Sequence, residues 1–184
     1  MVRSTACDIV NPDRYLPSRQ LIRQQLDAVL GQPGLLRLHR WQTEAAPPLR
    51  DLDLIRWLMR QAPERVFALA NGASLQIHLG FPGGGMALLD LVTTLPNGDG
   101  YVSLSVIAAS GAVHADDHHN VQLAYRGGRP QALRTEEDAG QLATIAQEWL
   151  AHTPGEDHWQ AVFALAEAVQ QSLTTGRAIA LEAA

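Results

Sequence analysis

The chain has 184 residues, 46% of them hydrophobic and 18% charged, and a net charge of -5, a balance ordinary for a globular chain long enough to bury a core. Its acids are scattered, which excludes a broad basic surface for nucleic acid, and no apolar run is long enough to span a bilayer. All 14 basic residues are arginine, so Schiff-base chemistry, a phosphate-loop lysine and a lysine general acid or base are excluded together, because a guanidinium keeps its proton near neutral pH.

The opening residues, MVRSTACDIVNPDRY, hold no apolar stretch of signal-peptide length, and the single cysteine, Cys7, has no partner for an internal disulfide. Both point to a reducing, cytoplasmic setting. Residues 4–10, STACDIV, read as a short strand before the turn at Asn11, Pro12 and Asp13. From Pro17 to Leu30 the apolar positions Leu21, Ile22, Leu26, Val29 and Leu30 recur at helical spacing, and Gly31 and Pro33 supply the stop. LLRLHRW, 35–41, reads as a strand. Pro47 and Pro48 then break the chain before a helix over 51–61, with Arg50, Leu54 and Leu58 along one side and aspartates suited to the positive end of its dipole.

The centre alternates with period two. SLQIHLGF, 74–81, puts Leu75, Ile77, Leu79 and Phe81 on one face and Ser74, Gln76, His78 and Gly80 on the other. YVSLSVI and NVQLAY repeat the pattern, which predicts Val102, Leu104, Val106, Val121, Leu123 and Tyr125 facing inward, with Ser103, Ser105, Gln122 and Ala124 opposite. Turn signals at PGGG (82–85), PNGDG (96–100) and ASG (109–111) fall at hairpin spacing and predict an antiparallel meander. Its second face, small and polar, is either wet or packed against another subunit.

Two helices and a strand close the chain. Thr135 with Asp138 caps a helix through Leu142, Ile145, Trp149 and Leu150, ending before Pro154 and Gly155. Trp159, Val162, Phe163, Ala166, Val169 and Leu173 mark the next, with Gly176 as its stop, and AIALEA adds a last strand. The sum is a single α+β domain over 1–184: one large, mostly antiparallel β-sheet with α-helices packed on one face.

Chemistry-bearing residues are few. HADDHHN brings together His114, Asp116, Asp117, His118 and His119, enough ligand types for a divalent metal, yet adjacent histidines on a strand point to opposite faces. A solvated turn is the expectation, with no metal. His39 and His78 lie on strands, where they either line a pocket or are hydrogen-bonded within the sheet. Trp41, Trp57, Trp149 and Trp159 suit core or interface. Ser103 and Ser105 lack a nearby histidine and acid in a recognisable motif, and Cys7 lacks a basic neighbour beyond Arg3.

The serial order of NPDRYLPSRQLIRQQLDAVLGQPGLLRLHRW, DLDLIRWLMRQAPERVFA, LQIHLGFPGGGMALLDLV, SGAVHADDHHNVQLAYRGG and HWQAVFALAEAVQQSLTTGRAIAL resembles the C-terminal part of the Gfo/Idh/MocA oxidoreductases. The likeness runs along nearly the whole chain and rests on the order of five segments, none a strong motif alone. It implies a sheet domain that in the family follows an NAD(P)-binding Rossmann domain, shapes the sugar or polyol site and often mediates oligomerisation. Residues 1–12 then resemble the last strand of the Rossmann domain.

Against that family the differences are informative. No G-x-G-x-x-G follows a strand, since Gly83, Gly84 and Gly85 lie between two strands. The family's E-K-P segment, with its proton-transferring lysine, is expected upstream of residue 1. Its D-x-x-x-H-x-x-D pattern falls on Ala46, Arg50 and Asp53, so only the last aspartate is kept. Arginine in the histidine position holds an anion but does not shuttle a proton.

The resemblance therefore implies a non-catalytic substrate-binding or oligomerisation module. Arg50, Asp53 and His78 are its candidate substrate wall, and Arg14 and Tyr15, at the domain junction, either contact a ligand or anchor the first helix. No cofactor is expected on this chain alone, NAD(P) entering only through a separate Rossmann subunit. A homo-oligomer, a dimer or larger, is expected through the polar sheet face. The alternatives are a substrate-domain subunit of an NAD(P)-dependent sugar or polyol dehydrogenase, and a stand-alone small-molecule sensor.

Overall fold

The computed structural model describes residues 11–42, 47–93, 100–117, 121–127, 129–133, 146–147, 151 and 156–181. The expected strand over 4–10, Cys7, the two histidines at 118 and 119, and nearly all of the helix expected from Thr135 to Leu150 lie outside those residues.

A 3-10 turn, Pro12–Tyr15, leads into α1 (Pro17–Gln25), whose first residue is a proline with φ already set for a helix. The helix continues as one π-turn, Leu26–Leu30, closed where the Gly31 N–H donates to the Leu26 carbonyl over 3.0 Å. Gly31 has φ 77, a left-handed conformation that favours glycine. The predicted helical span thus holds, and Ile22, Leu26 and Leu30 form its buried stripe.

β1 (Pro33–Trp41) and α2 (Leu49–Met59) follow, then β2 (Arg65–Asn71), β3 (Ser74–Gly80), β4 (Met86–Val92), β5 (Tyr101–Ala108), β6 (Gly111–Asp116), β7 (Val121–Tyr125) and β8 (Gln131–Leu133). The chain ends in α3 (Glu156–Thr175) and β9 (Ile179–Ala180). Gly176, φ 64, closes α3 as predicted, its N–H bonded to the Ser172 carbonyl at 2.8 Å.

The nine strands of the described residues form one sheet in the order β8-β7-β6-β5-β1-β4-β3-β2-β9. Every adjacent pair is antiparallel except β1 with β4. The meander is therefore split: β1 sits at its centre, with Leu38 level with Leu89 on one side and Leu104 on the other. The fold is α+β, mostly antiparallel, as expected.

One face of the sheet carries Leu36, Leu38, Val66, Ile77, Leu79, Leu89, Leu104 and Val106, all buried under the helices. Ile55, Leu58 and Met59 of α2, with Trp159, Val162, Leu165 and Val169 of α3, complete a single core. Each fully buried aliphatic side chain contributes about 1.5–3 kcal/mol. Among the described residues no helix is long and apolar enough to cross a membrane.

β7 departs from the predicted facing. Its register with β6, Val113 opposite Ala124 and Ala115 opposite Gln122, turns Gln122 and Ala124 inward and leaves Val121 and Tyr125 exposed. An alternating strand has two phases, and a shift of one residue exchanges its faces. Here the register that buries Val113 and Ala115 of β6 carries Ala124 and Gln122 to the same face, so Val121, Leu123 and Tyr125 of β7 point to the open side.

Candidate functional site

The N-terminal half of α2 builds a network of charges with the 3-10 turn, β1 and α3. Asn11 caps that turn, its Oδ1 accepting from the Asp13 N–H at 3.1 Å. Its Nδ2 donates to the Arg50 carbonyl at 2.8 Å and to Asp53 Oδ2 at 2.7 Å. This fixes the turn against α2.

Asp53 is fully buried. Arg14 grips it as a fork, Nε to Oδ2 at 2.6 Å and Nη2 to Oδ1, the bidentate geometry in which a guanidinium binds a carboxylate most strongly. His158, from the first turn of α3, places Nε2 2.5 Å from Asp53 Oδ1 and 2.8 Å from Arg14 Nη2. The carboxylate asks that nitrogen for a proton and the guanidinium asks it for a lone pair, so its protonation state decides which contact is a hydrogen bond.

A second chain of charges runs alongside. Asp13 accepts from Arg40 Nη2 at 2.6 Å and from Arg50 Nη2, and Arg40 also donates through Nε to Asp51 Oδ1 at 2.7 Å. Arg14, Arg40 and Arg50 thus face Asp13, Asp51 and Asp53, and the charges balance. Burial pushes the Asp51 carboxyl up, against the pull of Arg40. Burial would lower Arg40, but the Asp51 and Asp13 carboxylates beside it more than offset that and raise it. Arg50 is the member most open to solvent, its side chain 56% exposed.

The sequence-derived residues therefore separate. Arg14, Arg50 and Asp53 come together, and Tyr15 is buried in the adjoining turn. His78 lies on the other side of the sheet, on the open face of β3, level with Phe67 and Leu88. Asn11, Asp13, Arg40, Asp51 and His158 were not singled out, although Asn-Pro-Asp-Arg at a helix entrance is a local signal for a capped, charged turn. In the HADDHHN segment, Asp117 is taken by the buried Arg19 through 3.0 and 2.6 Å bonds, and His114 Nδ1 sits 2.8 Å from Ser105 Oγ.

The open face has its own character. Tyr125, Ile107, Leu35 and Met86 lie along one register row with Ala112 between the first two, and all four are more than a third exposed. Beside them Asp90, only 6% exposed, accepts from Arg37 at 3.1 Å and from Gln76 at 3.0 Å. His39, Trp41 and Tyr101 meet edge to face at one end.

No protein-family model matches the chain, and no curated protein matches it. Solved structures do. An NAD-binding oxidoreductase from Klebsiella pneumoniae is similar over 95% of this chain and 66% of its own, with a TM-score of 0.79 at 11% identity. Levoglucosan dehydrogenase, solved with NADH, is similar over 98% of this chain and 68% of its own, with a TM-score of 0.77 at 10% identity. A UDP-N-acetylglucosamine 3-dehydrogenase from Acidithiobacillus ferrooxidans is similar over 90% and 60%, with a TM-score of 0.72 at 18% identity. The chain shares its fold with part of each of these oxidoreductases and spans 60% to 68% of the length of these three. At these identities the likeness is one of fold.

Proposed function

We propose that this chain is a non-catalytic substrate-binding or assembly module, related in fold to oxidoreductases, that works as a homo-oligomer or beside a separately encoded Rossmann subunit. The observation that carries the reading is the Arg50 to Asp13 ion pair. Arg50 stands where the resembling family has a histidine, and a paired guanidinium binds anions without exchanging protons near neutral pH. Asp53, the aspartate kept from that pattern, is already engaged by Asn11, Arg14 and His158. It is a strut for α2 rather than an acid open to substrate.

The assembly surface is the open sheet face, and its occupant is a second copy of this chain. A row of exposed apolar side chains beside a neutralised Arg37 and Asp90 pair is complementary to itself under a two-fold axis. Sedimentation of the chain tests this: a dimer or larger species is expected at micromolar concentration, and a strict monomer overturns it. Titration with NAD(H) tests the rest, because tight, saturable binding to the chain alone contradicts a module without its own nucleotide site.

One observation favours the dehydrogenase-subunit alternative. His158 is a partly exposed imidazole on a carboxylate, an arrangement suited to acid–base work if a Rossmann partner supplies NAD(P). Co-purification with such a protein, and turnover lost in His158→Gln, supports that reading over the first.

A further inference from the structure

At the far end of α2, about 15 Å along the helix from Arg50 at 1.5 Å per residue, two cavities share a wall. One is an open cleft of about 340 Å³ bordered by Arg14, Arg56, Trp57, Arg60 and His158. The other, about 190 Å³, is apolar and lies between α3 and the turn after α2, bordered by Pro63, Ala161, Ala164, Leu165 and Leu181. Arg56 and Ala62 line both. The apolar hollow exists because α3 presents alanine at 161 and 164, three residues apart on one stripe, where longer side chains would fill it.

The cleft is positive on a chain that is negative overall. Arg14, Arg23, Arg56 and Arg60 surround two carboxylates: Asp53 is taken by Arg14, and Asp27 is shared by Arg23 and Arg60. Arg56 is left over. Arg56 donates to the His158 carbonyl at 3.3 Å, and among the described residues no carboxylate is in ion-pair contact with it, Asp53 acting on it only at longer range. Burial pushes its pKa below an arginine's ordinary value, which marks a cation that an incoming anion would relieve.

We propose that the adjoining cavities bind a small amphiphilic anion, with a carboxylate or phosphate head on Arg56 and an apolar body against Ala161 and Ala164. A guanidinium offers a planar fork to either head group. The apolar hollow beside that arginine favours a ligand with an apolar body over a fully hydrated one such as a free sugar. The site adjoins the Asp53 network through Arg14 and His158 but not the open sheet face, so it stands or falls separately from the assembly reading.

Calorimetric titration of the full chain with octanoate, octyl phosphate, acetate and octanol tests it. Octanoate or octyl phosphate is expected to bind saturably with one site, and the tighter of the two identifies the head group. Acetate and octanol, each carrying half of the recognised chemistry, bind at least about tenfold more weakly. Arg56→Gln weakens the preferred amphiphile about 10- to 100-fold, and Ala164→Leu, which fills the hollow, weakens it about tenfold or more. The two variants lie on different helices, and circular dichroism checks each, so misfolding of one leaves the other decisive. Absence of saturable binding by both amphiphiles, acetate binding as tightly as they do, or parent affinity in a folded variant overturns the proposal.

Discussion

His158 Nε2 and Asp53 Oδ1 lie 2.5 Å apart across a sequence separation of 105 residues, tying the first turn of α3 to the middle of α2. The same oxygen is held by Arg14 Nη2. One buried carboxylate thus joins three segments: the N-terminal turn, α2 and α3.

Asp53→Asn is accordingly expected to destabilise the fold by about 3–5 kcal/mol, the cost of leaving a buried cation without its counter-charge. His158→Gln, which keeps a polar side chain at a partly exposed position, is expected to cost about 1 kcal/mol. Urea unfolding at neutral pH measures both, and equal losses would contradict the central place given to Asp53.

Asp51 is expected to behave differently because burial raises its carboxyl. A carboxyl whose folded pKa exceeds its unfolded value costs stability once both states are ionised, and that cost disappears as pH falls below the ordinary carboxylate range. Asp51→Asn removes the titration. The stability of the parent relative to Asp51→Asn should therefore increase on acidification from pH about 7 to about 3. Urea midpoints across that range read it directly, and a parent advantage that shrinks on acidification would refute the sign.

Gly111 begins β6 where the backbone has no room for a side chain. A Cβ there would meet the Tyr125 carbonyl oxygen at 2.0 Å and Leu30 Cδ2 at 3.1 Å. The oxygen belongs to the neighbouring strand, so relief requires β6 and β7 to part. Gly111→Ala is expected to destabilise by about 3 kcal/mol or more, visible as a lowered melting temperature, whereas Gly84→Ala, with nothing within 4 Å, loses only what its positive φ demands.

On the open face, Ile107→Glu is expected to leave the fold intact, since the side chain is 53% exposed, and to convert the oligomer to monomer. A new charge in the middle of an apolar row is left unpaired when two copies meet. Sedimentation velocity of parent and variant is the measurement, and an unchanged assembly would place the contact elsewhere.

How far the sequence carries can be judged from particular residues. α1 was legible because Ile22, Leu26 and Leu30 repeat at helical period, and α3 because Gly176 marks its end. Strand phase was less so: Val121, Leu123 and Tyr125 are the apolar set of β7, yet they face outward, because the register with β6 turns Gln122 and Ala124 to the side of Ala115 and Val113. The parallel pairing of β1 with β4 left no local trace, since both neighbours of β1 lie far along the chain. In the charge network, Arg50 and Asp53 came from the resemblance to a known pattern. Arg40 and His158 did not, because their partners are fixed only when α2, α3 and β1 converge.

The central place of β1 also sets an order of events during synthesis. Its nine residues are complete at position 41, but one flank is filled only after Val92 and the other only after Ala108 have been made. Until then a leucine-rich strand keeps at least one edge open, the state in which strands pair with the wrong neighbour. Mispairing of β1 is therefore expected to be most frequent in that interval and to end when β5 closes beside β1.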